Sequence, residues 1–592
     1  MTPIISTYPI QSNYKQFVHL LCLLLFTCLG LNSIYAQNIP ESSSTERWSA
    51  LPYTQNPETL IAPLKKLEPG KKFTIVHIGD SHVQGDRMTG ETRVALQSLF
   101  GNGGQGFLFP YGLAGSFGPR GTSATKEGTW IPYKTLTPNL ERNLGLTGYG
   151  ITSYNTQAEI HIAFNDKFAH YPYSAIRVLH SIDTTSFQCF ITTNSAGGIS
   201  QSIVQSKQFR GSLEPGNSWG ISEFSLADMG RSEMQQPTPF TGSISAMESA
   251  HLEQLHIEFN KTNYTQTHTD FFGYQLLSAN NGIEYHHYGV VGAQFPHFIN
   301  RVKQACDQLA YIQPDLIIFS FGTNEAYNGK LSIEDYQNLV KKFIDSIRLV
   351  LPNTGILLTT PPDTRSSGRI PPMQKNVLMA LENIAREKEV ALFDLNRAMG
   401  GWGNIYQWYA KGLTLKDKVH FTTEGYGLQG KMITSCLLEM HIRARSNSKL
   451  AISTQEFDYL KDLQINIHQS LDEILKQPIS TLNDTAMGVN LSGNSDTAAN
   501  QILSNQENVI SKDSVARINT RKPVNQGSTI RPKNTPKAKS NAGRPIIHTV
   551  KSGENLYRIA QKYHVTTDAI AKANHLRNPR AIKPGQKLVI PK

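Results

Sequence analysis

Cysteine is scarce in this chain, with five in 592 residues, and two of them, Cys22 and Cys28, stand in or beside an N-terminal apolar run. The three that remain, Cys189, Cys306 and Cys436, are an odd and widely spaced set that excludes a disulfide scaffold and offers no metal-ligand spacing. Beyond the N-terminal run, no stretch approaches the roughly eighteen apolar residues that a membrane-spanning helix needs. Acidic residues are missing from Ser514 to Gly553, where nine Lys and Arg supply most of the net charge of +11. The rest of the chain is therefore near neutral, and a nucleic-acid-binding surface loses its main support. Hydrophobic residues make up only 39%, which suggests folded cores diluted by a polar segment. The length calls for several domains.

What is present has a clear order. Lys15 and His19 precede the run Leu20–Phe26, and small and polar residues follow from Ser33 to Ala36. This pattern predicts a secretory signal peptide over residues 1–36, too short in its apolar part to span a bilayer, and places the mature chain in the periplasm or cell envelope with no integral membrane segment. Phe73–Ile78 is an apolar, β-branched run that suits a buried parallel strand. From 113 to 282 short alternating stretches, such as Ala158–Phe164 and Phe187–Thr192, are separated by Gly, Asn, Ser and Pro, the spacing of a β-sandwich or jelly roll. From 283 to 445 strands (Asp315–Phe321, Gly355–Thr360) alternate with helices expected near Phe295–Leu309, Ile333–Leu349 and Pro372–Glu389. The simplest account is one α/β domain, residues 50–112 and 283–445, interrupted by a β-domain over 113–282. An amphipathic helix is expected over 454–477, with Phe457, Leu460, Leu463, Ile467, Leu471, Ile474 and Leu475 on its apolar side. Residues 478–545 are polar, basic and nearly free of aromatics, a flexible linker by composition. Residues 546–592 regain the pattern of a small strand–helix–helix–strand module.

Three short motifs carry chemistry. Gly79-Asp80-Ser81-His82 follows the first strand and puts a serine where α/β sheets present ligand sites. A serine needs a base and a group to orient that base. Asp417-Lys418-Val419-His420 supplies both, because a three-residue separation lets the aspartate support the imidazole from one loop. Gly322-Thr323-Asn324 follows another strand and offers a side-chain amide, and Gly289-Val290-Val291-Gly292 offers a free backbone N–H, as donors to an oxyanion. Ser81's own N–H is a third. Gly103, Gly104 and Gly106, in a glycine-rich stretch, are the rivals of Gly292.

In order and together, these motifs resemble the SGNH/GDSL hydrolases. The resemblance implies an SGNH-type parallel-sheet α/β fold, Ser81 as nucleophile, His420 as base, Asp417 as its partner, and Ser81, Gly292 and Asn324 as the oxyanion hole. Two residues depart from the family pattern: His82 replaces the leucine common after the serine, and Val291 stands where many relatives have asparagine. The block Gly-Asp-Ser-His, the glycine-rich stretch and the β-insert together resemble the peptidoglycan O-acetylesterase branch, whose insert is carbohydrate-binding-like. In such an insert Trp130, Tyr133 and Trp219 could stack on sugars, although aromatics in a small sandwich usually form its core. The C-terminal module, with Thr549-Val550, Gly553-Glu554-Asn555-Leu556, Ile559-Ala560, Tyr563, Asn574, Ile582 and Pro584-Gly585-Gln586-Lys587-Leu588, resembles a LysM domain. That resemblance implies binding of peptidoglycan or another N-acetylglucosamine-containing glycan through Gly553, Glu554, Asn555, Leu576, Asn578 and Ile582.

The function expected from all this is a secreted serine esterase that removes O-acetyl groups from peptidoglycan or a related glycan, with no metal and no cofactor. The alternatives are an acetylesterase or acetyltransferase acting on another polysaccharide, and a non-catalytic envelope protein that binds peptidoglycan.

Overall fold

The structure, a computed structural model, describes residues 47–119, 121–137, 142–165, 173–195, 200–212, 218–226, 252–299, 302–366, 368–476, 546–550, 556–563, 565, 567–576, 582–583 and 585–591. The expected signal peptide and linker lie outside these residues. The chain divides into two units, residues 1–489 and 490–592.

The first unit is built on a parallel sheet. Its strands are β1 (Phe73–Gly79), β2 (Ile283–Gly289), β3 (Leu316–Ser320), β4 (Gly355–Thr359) and β5 (Ala391–Phe393), in the spatial order β5-β4-β3-β1-β2. Asn102–Gly104 extends the sheet beyond β2, and Thr54–Gln55 adds an antiparallel edge beyond β5. Both faces of the sheet are covered, so β1 is buried at all seven positions. That is why it reads as a continuous rather than an alternating apolar run.

The helices are α1 (Ser81–Gln84), α2 (Met88–Phe100), α3 (Val302–Ile312), α4 (Thr323–Tyr327), α5 (Ile333–Val350), α6 (Gln374–Lys388), α7 (Thr423–Asn447) and α8 (Thr454–Leu475). Within the helix expected over Phe295–Leu309, the described residues are helical at Phe295–Ile299 and in α3. On one face of the sheet Phe73, Ile75, Tyr285 and Ile318 share a core with Leu96 of α2, Met432, Ile433 and Leu437 of α7 and Ile467 of α8. On the other face Val76, Ile78, Ile317 and Phe319 join Val340 and Phe343 of α5, Val377 of α6 and the inserted strands. In α8, Leu460, Leu463, Ile467, Leu471 and Ile474 are buried as expected. Phe457 and Leu475 are exposed, because a 3.6-residue period carries both ends of that stripe off the contact face.

Between Asn102–Gly104 and β2 the chain forms two antiparallel sheets. One has five strands in the order Ser200–Ile203, Gln188–Ser195, Leu252–Asn260, Gln157–Phe164, Thr122–Glu127. The other runs Gln205–Ser212, Trp219–Ser225, Tyr173–His180, Thr269–Ser278, Tyr149–Ser153, Trp130–Lys134. Phe259 of the first sheet meets Trp130 (6.0 Å between ring centroids), His180 (5.6 Å) and Phe271 (6.3 Å) of the second. The expected start of this region at residue 113 is late. Phe107–Leu108 already pairs with Thr269–Ser278, a contact between segments too far apart in sequence for periodicity to show. Trp130, Tyr133 and Trp219 are all buried, the core placement usual for aromatics in a small sandwich, and none of them presents a stacking face to a sugar. Their flat area is used inside the sheets. The insert is also continuous with the core of the parallel-sheet domain rather than hung from it, since one apolar cluster runs through both.

The second unit forms Ile546–Thr549, Leu556–Lys562, Thr567–Ala573 and Lys587–Ile590, with the two strands antiparallel. Val550, Leu556, Ile559, Ile570, Leu588 and Ile590 make its core, and Leu576 and Ile582 pack half-buried against it. Gly553, Glu554, Asn555 and Asn578 lie outside the described residues. Cys189, Cys306 and Cys436 are free thiols, all buried. Among the described residues no helix is long and apolar enough to cross a membrane.

Candidate active site

Ser81 opens α1 directly beyond the C-terminal end of β1, with β2 and β3 on either side. Asp80 caps the helix, its Oδ1 accepting the His82 N–H at 3.0 Å. The turn sits tightly on the sheet because two strands end in glycine. A Cβ on Gly79 would lie 2.5 Å from Val83 and from the Ser320 carbonyl oxygen, and one on Gly289 would lie 2.1 Å from the Gln84 nitrogen. No side chain fits at either position, so these glycines set how low the serine sits.

The imidazole arrives from a loop 339 residues further on. Leu415 N–H bonds the His420 carbonyl at 2.8 Å, and Lys418 takes a positive φ of 51° to close the turn. Within it, Asp417 Oδ1 accepts the Val419 and His420 N–H groups at 3.0 Å each. Its Oδ2 lies 2.7 Å from His420 Nδ1, and His420 Nε2 lies 2.9 Å from Ser81 Oγ. Serine, histidine and aspartate thus form one hydrogen-bonded line. Burial works to raise the Asp417 carboxyl, but the bonds from the His420 side chain and from the two backbone N–H groups outweigh it and hold the group below its ordinary value. An ionised carboxylate fixes the imidazole tautomer that leaves Nε2 free to accept a proton. The serine is 6% exposed, whereas the His420 and Asp417 side chains are 33% and 47% exposed.

Gly292 has φ 81°, and beside it the N–H groups of Val290, Val291 and Ala293 bond Gly79 O (3.2 Å), Gln84 Oε1 (2.8 Å) and Val290 O (3.0 Å). The Gly292 N–H has no partner among the described residues, which leaves a backbone donor beside the serine's strand end. Asn102 and Gly104 pair with Ile283 and Glu284, the first residues of β2, with Gly103 between them, at the sheet end opposite Gly289. A Cβ on Gly106 would strike the His286 ring. The rival glycines therefore lie away from Ser81. Asn324 opens α4 past β3, and its Nδ2 donates to Ala293 O at 2.9 Å and to Asp80 Oδ2 at 3.3 Å. A ligand oxygen would have to replace the longer of these bonds.

Two buried acids were not singled out from the sequence. Asp80 is raised to about 8, chiefly by burial. Glu325 accepts the Phe295 N–H at 2.6 Å and the Gly322 N–H at 3.1 Å, and burial raises it to about 7. A neutral Asp80 puts no negative charge beside the Asn324 amide. Glu325 carries no motif signal, whereas Asp80 lies inside the serine motif itself. His82 and Tyr426, described below, were also unassigned.

Comparison with known proteins agrees with this geometry. Residues 258–428 match the GDSL-like lipase/acylhydrolase family, and residues 548–591 match the LysM domain. The first match holds Gly292, Asn324, Asp417 and His420 but begins after Ser81, and it is the fold that brings Ser81 to them. Two stretches of the chain are thus similar to known families, one to the GDSL-like lipases and acylhydrolases and one to the LysM domain. No curated protein matches it. A solved structure described as "Peptidoglycan O-acetylesterase in action, 5 min" is similar at 23% identity and TM-score 0.48, over 64% of this chain and 96% of its own. A lipase/acylhydrolase from Enterococcus faecalis is similar at 19% identity and TM-score 0.23, over 27% of this chain and 77% of its own. A carbohydrate esterase family 3 protein from Talaromyces cellulolyticus is similar at 18% identity and TM-score 0.22, over 27% of this chain and 72% of its own.

Proposed function

We propose that this protein is a secreted serine esterase of the cell envelope that removes O-acetyl groups from peptidoglycan or a related glycan, held on that glycan by its LysM domain. The observation that carries the reading is the unbroken line Ser81 Oγ–His420–Asp417, with contacts of 2.9 and 2.7 Å. Ser81 Oγ attacks the ester carbonyl as His420 Nε2 takes its proton. The N–H groups of Ser81 and Gly292 and the Asn324 amide receive the developing oxyanion. His420 returns the proton to the departing sugar hydroxyl, leaving acetyl-Ser81. Water, deprotonated by His420, then attacks this ester, and acetate and free Ser81 result. All these groups belong to the chain itself.

The glycan substrate rests on the LysM match and on the glycan binding that LysM resemblance implies. A binding module on the same chain raises the local concentration of ester without any new contact at Ser81. Secretion is supported by the N-terminal sequence pattern, and an envelope polymer is where such a module is useful.

The test is acetate release from O-acetylated sacculi, compared with release from acetylated xylan. We expect release from sacculi, none with Ser81→Ala, and sacculus binding by Ser81→Ala equal to wild type. Hydrolysis of xylan acetate alone would replace peptidoglycan as the substrate. Release undiminished in Ser81→Ala would refute the serine mechanism.

A further inference from the structure

The following rests on the esterase reading. Ser81 and His420 come from two distant pieces of chain, α1 seated on β1 and the 414–421 loop that leads into α7. One weak contact between a hydroxyl and an imidazole is a poor way to register two such pieces. A second tie lies behind it. His82 is 5% exposed, and its Nδ1 lies 3.0 Å from the hydroxyl of Tyr426, itself 4% exposed, in the first turns of α7. The rings of His82, Phe421 and Tyr426 form a closed triangle, with centroids 6.1, 5.8 and 5.5 Å apart. The His420 ring lies against His82 at 5.5 Å with a tilt of 36°.

The imidazole at position 82 is costly where it stands. Its Nε2 is buried and has no hydrogen-bond partner among the described residues, a condition that costs free energy and that an apolar side chain would avoid. The polar contact that its Nδ1 makes to Tyr426 is therefore the feature that distinguishes histidine from a hydrophobic filler here. Because both partners are out of water, that bond is directional and strong for its size.

The geometry points to His82 and Tyr426 as a positioning clasp: their hydrogen bond fastens the nucleophile's turn to the helix carrying the base's loop, and so holds His420 Nε2 within proton-transfer reach of Ser81 Oγ. Neither residue touches the reacting atoms. Ser81 and His82 share a peptide unit, so a shift at His82 moves the serine directly. A misplacement of about 1 Å at such a site is enough to cost about a hundredfold in rate. Burial, and after it the neighbouring His420, push His82 down to about 3. The clasp is thus neutral and does not repel the imidazolium formed on His420 during acylation.

The test uses the full chain, with p-nitrophenyl acetate hydrolysis and hydrogen–deuterium exchange of residues 414–421. Tyr426→Phe, which removes only the hydroxyl, is expected to lower kcat about five- to tenfold with KM unchanged, and to speed exchange in the loop. His82→Asn, whose Oδ1 can stand in for Nδ1, is expected to keep most of the rate, while His82→Leu loses about a hundredfold. Tyr426→Phe with full kcat and unaltered loop exchange overturns the clasp, as do equal losses in His82→Asn and His82→Leu. A wild-type protein that hydrolyses no ester would instead defeat the esterase reading, and the loop exchange of Tyr426→Phe would still decide the clasp.

Discussion

Replacing Asp417 with asparagine removes the charge and sets an amide donor against His420 Nδ1, favouring the tautomer whose Nε2 already carries a proton, which makes it the sharpest probe of the triad. Asparagine can keep Oδ1 on the Val419 and His420 N–H groups, both at 3.0 Å, so the turn should survive. What is lost is the carboxylate 2.7 Å from His420 Nδ1, which would face the imidazolium formed when Ser81 gives up its proton. Two unit charges at that separation attract by about 6 kcal/mol at an effective dielectric of about 20, and by about 1.5 kcal/mol in bulk water. With the two side chains 33% and 47% exposed, solvent screens much of the larger figure, and about 2–4 kcal/mol is reasonable. That corresponds to a fall in kcat of about 30- to 1000-fold from the charge alone, and the change of imidazole tautomer adds to it. The assay is p-nitrophenyl acetate turnover near neutral pH, with KM followed separately and expected to stay put. An Asp417→Asn protein that folds normally and keeps kcat within about threefold of wild type would show that the carboxylate does not support the base.

Asn324→Ala should lower kcat by about a hundredfold if its amide reaches the oxyanion, with a smaller effect on KM, as read by the same turnover assay. Ile467→Ala should open a cavity where α8 meets α7, lowering unfolding free energy by about 2–5 kcal/mol in urea titrations while leaving turnover of the folded protein unchanged. The buried Asp80 carboxyl is raised from 3.8 to about 8, so the folded protein keeps a proton that the unfolded chain releases. Its stabilising contribution is full below the unfolded value and is lost as pH rises through the folded one. The wild type should therefore lose stability relative to Asp80→Asn between about pH 4 and about pH 8, and a difference that stays flat across that range would contradict a neutral Asp80.

The sequence by itself determined the local chemistry: strand β1 from its unbroken apolar run, the serine at its end, the Asp417–His420 spacing, and the helical stripe of α8. These are readable because each depends on residues within a turn or a strand of one another. Tertiary structure decided what depends on contacts between distant segments. Phe107–Leu108 joins the inserted sheet through pairing with residues some 165 positions on, and Trp130, Tyr133 and Trp219 turn inward because two sheets face each other. Only the fold set Gly292 and the glycine-rich stretch at opposite ends of β2. The clasp of His82 and Tyr426 left no trace in the sequence either, since hydrogen bonds between buried side chains follow no period along the chain and exist only once strand, loop and helix have come together.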